Sequence, residues 1–111
     1  MLKIEAVIRN SVVADIQDAL AENGVPTFSI YQVQITGTHK AHKGWRNKTS
    51  DFIPKSKLEI LCSDDVGDKI VKIIQDTART GEKGDGIVYI YKINKLVKIR
   101  SGDIDEKALS H

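Results

Sequence analysis

One cysteine, two prolines and few aromatic residues stand in this chain of 111 residues, and each scarcity excludes something. Cys62 alone cannot form an internal disulfide, which removes the disulfide-stapled scaffolds and fits a reducing compartment. No apolar run approaches the ~20 residues that cross a bilayer as a helix. The opening MLKIEAVIRN alternates charged and apolar side chains, unlike the continuous apolar stretch of a secretory signal. No Ser-His-Asp set or paired carboxylates can be argued, so the sequence offers no positive sign of an enzyme. The expectation is a single soluble, cytoplasmic domain over 1–111, large enough to bury a core unaided.

What is present is patterned. Leu2, Ile4, Ala6 and Ile8 share one face of a period-two segment, which predicts a strand with one buried face. Val13, Ile16, Ala19 and Leu20 then fall at helical spacing, with Ser11 a candidate cap and Gly24 a stop. Phe28 to Ile35 resumes a β-rich pattern after Pro26. The second half repeats this grammar. Lys57 to Cys62 alternates, Ser63-Asp64-Asp65 offers a cap, and Val66, Ile70, Ile73, Ile74 and Thr77 mark a helical face. Ile87 to Tyr91 is the strongest strand signal in the chain. Two strand–helix–strand units in series predict an α+β, ferredoxin-like βαββαβ fold with both helices on one face of a four-stranded antiparallel sheet. Tyr31, Val33, Ile35, Leu61, Val88 and Ile90 are expected on the other face, where self-association would cover them.

Three segments invite a functional reading. Between Gly37 and Lys57 stand Lys40, Lys43, Arg46, Lys48, Lys55 and Lys57 against Asp51 alone, while the rest of the chain is net acidic. Residues 37–55 lack an apolar period and read as a long basic loop between the central strands, carrying Trp45. Such a loop is either solvated or a contact surface for an anionic ligand or partner. Thr80-Gly81-Glu82-Lys83-Gly84-Asp85-Gly86 is a glycine-rich turn. Its backbone N–H groups can approach phosphate oxygens, or its glycines can serve conformation alone. It is not a Walker A loop, because no Lys-Ser or Lys-Thr pair follows at the required spacing. His39 and His42 lack further ligands at definite spacing, so no metal site is assigned. Cys62 reads as a small buried hydrophobe at a strand end.

Several segments together carry a family resemblance. They are Ile4-Glu5-Ala6-Val7-Ile8-Arg9, Ala19-Leu20-Ala21-Glu22-Asn23-Gly24, Asp51-Phe52-Ile53-Pro54-Lys55-Ser56-Lys57-Leu58-Glu59-Ile60, Ala78-Arg79-Thr80-Gly81-Glu82-Lys83-Gly84-Asp85-Gly86 and Ile99-Arg100-Ser101-Gly102-Asp103. The chain resembles the PII nitrogen regulatory proteins over nearly its whole length. The resemblance implies a homotrimer whose sheets face inward, with nucleotide sites in the clefts between subunits. It implies that the long loop is the family's T-loop, which contacts a regulated membrane transporter of the ammonium type or a metabolic enzyme.

Carried over by position, Val7, Ser29, Gly37, Thr38 and Glu59 would form the base and ribose pocket. Gly84, Asp85 and Gly86 would line the phosphates, and Lys98 and Arg100 would reach them from a neighbouring subunit. The implied ligand is ATP or ADP, with AMP admitted. His39, Lys40 and Lys55 match positions that serve 2-oxoglutarate, and Lys43, Trp45, Arg46 and Lys48 would form the partner-binding loop; the C-terminal tail is 101–111.

Departures from the family pattern bear on this reading. Ile87 stands where a basic residue usually follows Gly-Asp-Gly, Thr38 replaces an Arg, His39 replaces a Gln, and Asn10 replaces a common Pro. They leave Mg²⁺ and 2-oxoglutarate open. The loop holds no Tyr, which argues against uridylylation there, while Thr49 and Ser50 stay open to modification.

Two other classes stay in view. A ferredoxin-like RNA-binding module would need exposed sheet aromatics, for which Tyr89 and Tyr91 are the candidates, and would bind RNA in a salt-dependent way without ATP competition. A small trimeric metal-binding protein would take up divalent metal without nucleotide.

Overall fold

The computed structural model describes residues 1–40 and 48–109. Strand β1 (Leu2–Ile8) leads through a 3₁₀ turn at Asn10–Val12 into helix α1 (Val13–Glu22), then strand β2 (Ser29–Lys40). Strand β3 (Lys48–Cys62), a second 3₁₀ turn at Asp64–Val66, helix α2 (Gly67–Ala78) and strand β4 (Ile87–Lys92) follow, with a short 3₁₀ segment at Asp105–Leu109. The four strands form one antiparallel sheet in the order β2-β3-β1-β4, so each helical crossover spans an intervening strand. This is the ferredoxin-like arrangement that the repeated grammar predicts.

The core lies between one sheet face and the two helices. Ile4, Ala6, Ile8, Leu58 and Ile60 from the sheet pack with Ile16 and Leu20 of α1 and Ile70 and Ile74 of α2. Burial of such side chains is the main stabilising term, at roughly 1.5–3 kcal/mol for each. Cys62 is buried among them, and burial pushes its thiol up from the ordinary value, as suits an inert packing residue. Gly67 begins α2 against the Leu2 side chain.

Pairing fixes which side chains share a face. Ala6 stands between Leu58 and Val88, and Ile4 between Ile60 and Ile90. Val88 and Ile90 therefore belong to the helix-covered face, not to the open face expected for them. β4 starts at Ile87 as expected, but its pairing sets Val88 and Ile90 beside Ala6 and Ile4, and a register differing by one residue would exchange the faces. Tyr31, Val33, Ile35 and Leu61 do lie on the open face, with Lys3, Glu5, Val7, Lys57, Glu59, Ile87, Tyr89 and Tyr91.

That face is not simply apolar. Glu5 is only 4% exposed, with Lys3 Nζ at 3.3 Å and Lys57 Nζ at 3.4 Å from its carboxylate oxygens. Burial pushes its carboxyl up, but the Tyr89 hydroxyl and the two ammonium groups outweigh that and hold it below the ordinary value. Lys3 also sits over the Tyr91 ring, 4.6 Å from its centroid.

Two local expectations are corrected. Neither Ser11 nor Ser63 caps a helix through its side chain. Each helix is entered through a 3₁₀ turn, with Val12 and Val66 in the capping positions, and Ser63 Oγ instead donates to Asp65. The loop expected over 37–55 is largely paired backbone. β2 and β3 continue as a two-stranded ribbon from Ile35 opposite Ile53 out to Lys40 opposite Lys48. Antiparallel pairing satisfies the backbone without needing a buried face, which is why no apolar period marks it. Pro54 is tolerated in β3 because β1 pairs only with Ser56–Cys62, leaving Pro54 with one neighbouring strand.

Candidate functional site

The glycine-rich turn between α2 and β4 is organised by one carboxylate. Asp85 accepts hydrogen bonds from the backbone N–H groups of Thr80 and Gly81, each at 2.9 Å, and from the Thr80 hydroxyl. The Arg9 guanidinium, one residue beyond β1, also donates to Asp85, and through Nη2 to the Lys83 carbonyl at 2.7 Å. The Thr80 hydrogen bonds and the Arg9 charge hold the Asp85 carboxyl well below the usual carboxylate range. Lys55, in β3, donates from Nζ to the Gly84 carbonyl at 2.6 Å. The turn is thus clamped from β1 and from β3.

The two glycines flanking Asp85 are required by this packing. A Cβ on Gly86, whose φ is +104°, would sit 1.9 Å from the Val7 carbonyl oxygen. A Cβ on Gly84, whose φ is +98°, would meet Arg9 Nη2 at 3.0 Å. The conformational reading of these glycines is therefore sufficient without a ligand, and the turn's close fit to β1 follows from it.

Of the residues carried over by position, the structure brings Val7, Lys55, Gly84, Asp85 and Gly86 together in this clamp. Ser29 and Glu59 form a second group, opposite each other on β2 and β3. Both line a cavity of about 600 Å³ with Thr27, Phe28, Leu61, Val97 and Glu106 among its walls. Glu59 accepts a hydrogen bond from the Tyr31 hydroxyl at 2.9 Å, and that bond raises the Tyr31 hydroxyl above its ordinary value. Lys98 and Arg100 belong to a tight turn rooted beside the same cavity. Lys98 N–H donates to the Asp103 carbonyl and Gly102 N–H to the Lys98 carbonyl, both at 2.8 Å, under a bridge between Val97 and Ile104.

Gly37 lies in the ribbon opposite Asp51, and the backbones of Thr38, His39 and Lys40 face Ser50, Thr49 and Lys48. Lys43, Trp45 and Arg46 lie outside the described residues. Among the described residues no group of three or more His, Cys, Asp or Glu could hold a metal ion. None of their helices is long and apolar enough to cross a membrane.

The sequence marks Thr80 only as the start of the glycine-rich turn and gives no site signal at Arg9 or Tyr31. Arg9 and Asp85 are 76 positions apart, and only the strand order brings them into contact. Asn10, at the position where the family commonly has Pro, accepts a hydrogen bond from the fully buried Ser56 hydroxyl and so satisfies it.

Comparison with known proteins decides the family. The family model for nitrogen regulatory protein P-II matches residues 1–103. The chain belongs to the P-II family. It is 35% identical to nitrogen regulatory protein P-II of Klebsiella oxytoca, across 98% of this chain and all of that protein. Nitrogen regulatory protein P-II 1 of Escherichia coli K12 is likewise 35% identical over the same shares, and the Pasteurella multocida protein 32%. Among solved structures, B. subtilis GlnK superposes with a TM-score of 0.86 at 27% identity, covering 97% of both chains. The B. subtilis GlnK–ATP complex gives 0.86 at 27% identity, covering 97% of this chain and 94% of that one. P-II proteins are regulators rather than enzymes.

Proposed function

We propose that this P-II protein binds an adenine nucleotide, ATP or ADP with AMP admitted, in clefts between the subunits of a homotrimer. The nucleotide state then passes through segment 37–55 to a regulated transporter or metabolic enzyme. The observation that carries this reading is the division of the position-matched residues into two groups. One, around Gly84-Asp85-Gly86 and Val7, is a clamped glycine-rich turn of the kind whose backbone N–H groups can approach phosphate oxygens. The other, Ser29 and Glu59 with the tail carrying Lys98 and Arg100, borders a cavity whose size suits a small ligand. A phosphate turn on one chain and basic side chains on another make a site that a single subunit lacks. Capture of ATP by B. subtilis GlnK supports the ligand class.

The open sheet face supports self-association. It carries Lys3 and Lys57 beside Glu5, with Tyr31, Tyr89 and Tyr91, and so is self-complementary in charge and partly apolar. Lys55 spends one of its three N–H donors on the Gly84 carbonyl and keeps the others for a ligand carboxylate. Mg²⁺ and 2-oxoglutarate are therefore variables in the test. Calorimetry of the purified protein with ATP, ADP and AMP, each with and without Mg²⁺ and 2-oxoglutarate, is expected to give saturable binding of at least ATP or ADP. Absence of binding for all three nucleotides at millimolar concentration would overturn the reading. Coupling to segment 37–55 is read from Trp45, the single tryptophan, whose emission is expected to change on nucleotide binding.

A further inference from the structure

We infer that Tyr31 is a positioning residue that presets Glu59 to recognise a sugar hydroxyl of the ligand in the cavity that Glu59 lines. This rests on the nucleotide-binding reading and adds to it the residue that sets selectivity for the ribose.

Ser29 is opposite Glu59 and Tyr31 opposite Lys57, so Tyr31 and Glu59 are diagonal neighbours on the open face. Diagonal pairs lie roughly 7–8 Å apart between backbones, a gap that long side chains can bridge. Here the Tyr31 hydroxyl bridges it, donating to Glu59 Oε2 at 2.9 Å. The ring is itself braced, since Lys57 Nζ stands 5.7 Å from its centroid while pairing with Glu5 at 3.4 Å.

An ionised carboxylate accepts at two oxygens, about four lone-pair directions in all, and Tyr31 uses one of them. The remaining capacity belongs to a residue on the wall of a cavity of about 600 Å³. The rest of that wall is apolar at Phe28, Leu61 and Val97 and polar at Thr27, Ser29 and Glu106. A planar apolar ring carrying a sugar with adjacent hydroxyls matches such a lining, because a carboxylate can accept from both hydroxyls of a diol. Tyr31 does not line the cavity, so it acts through Glu59 by removing rotamer freedom before the ligand arrives.

The test is calorimetry of the full-length protein with ATP, 2′-deoxy-ATP and 3′-deoxy-ATP, using wild type, Tyr31→Phe and Glu59→Gln. Wild type is expected to prefer ATP over at least one deoxy analogue by about tenfold or more, the scale of a hydrogen bond to a charged group. Tyr31→Phe is expected to lose several-fold in ATP affinity with little change for that analogue, so the preference shrinks. Glu59→Gln should shrink it further. A Tyr31→Phe protein with the wild-type preference intact, or a wild type with no preference, overturns the inference and leaves nucleotide binding standing. A wild type that binds no adenine nucleotide overturns both.

Discussion

The Arg9 guanidinium donates to the Asp85 carboxylate across 76 residues of chain, joining the end of β1 to the turn before β4. Both side chains keep some solvent contact, 27% for Arg9 and 24% for Asp85. The pair is thus a hinge pin between sheet and turn, with its carboxylate also fixed by Thr80 and Gly81.

This pair predicts a pH dependence. The folded carboxyl of Asp85 lies below its unfolded value, so the unfolded state takes up the proton first. Its stabilisation is complete above the unfolded value of about 4 and is lost as pH falls from there toward the folded value. Thermal unfolding from pH 7 down to pH 3 should show wild type losing melting temperature below about pH 4. Asp85→Asn should start lower and fall less over that range. Equal slopes for the two proteins would show that Asp85 does not titrate with folding.

Gly86→Ala should destabilise the fold. The added Cβ meets the Val7 carbonyl at 1.9 Å, and φ of +104° is a backbone state that L side chains rarely adopt. Strain of this kind costs about 1–3 kcal/mol before the clash is counted. Chemical denaturation should show a lower midpoint, whereas Gly37→Ala, with open space around its Cβ, should leave the midpoint nearly unchanged.

Assembly is checked by size-exclusion chromatography with light scattering. The expected mass is three times the 12.3 kDa chain. Lys57→Glu should lower the thermal stability of the subunit, since it replaces attraction to the buried Glu5 carboxylate of the same chain by repulsion. A wild-type monomer at micromolar concentration would contradict the trimer.

Arg100→Ala should weaken adenylate binding more than Lys98→Ala. A guanidinium makes paired, charge-assisted hydrogen bonds to phosphate, and a hydrogen bond to a charged group contributes about 1.5–3 kcal/mol. Equal and small losses would remove the tail from the phosphate site.

The fold was legible wherever burial imposed a period. Leu2, Ile4, Ala6 and Ile8, and Ile70 with Ile74, announced strand and helix because each buries one face against the same core. The face assignment of Val88 and Ile90 was not, because an apolar run at a sheet edge carries no alternation from which to read a register. The ribbon from Thr36 opposite Phe52 outward leaves no apolar period in the sequence because its pairing is backbone to backbone. In the site, the glycines and Asp85 were visible as a local motif. Their partners Arg9 and Lys55 were linked to them only by strand order, and Tyr31 was linked to Glu59 only by register.

The central claim is a nucleotide site built from two subunits, and a mixing experiment tests it most directly. Ile87→Glu places a negative charge beside the Gly-Asp-Gly turn at a residue that is 63% exposed, and Arg100→Ala removes the tail's guanidinium. Each variant alone, checked for wild-type mass, should bind ATP poorly. Co-refolded together, they should regain part of the wild-type ATP binding, because a trimer then contains clefts with an intact turn from one chain and an intact tail from another. A mixture that binds no better than the separate variants would contradict the account, since both halves would then have to come from the same chain.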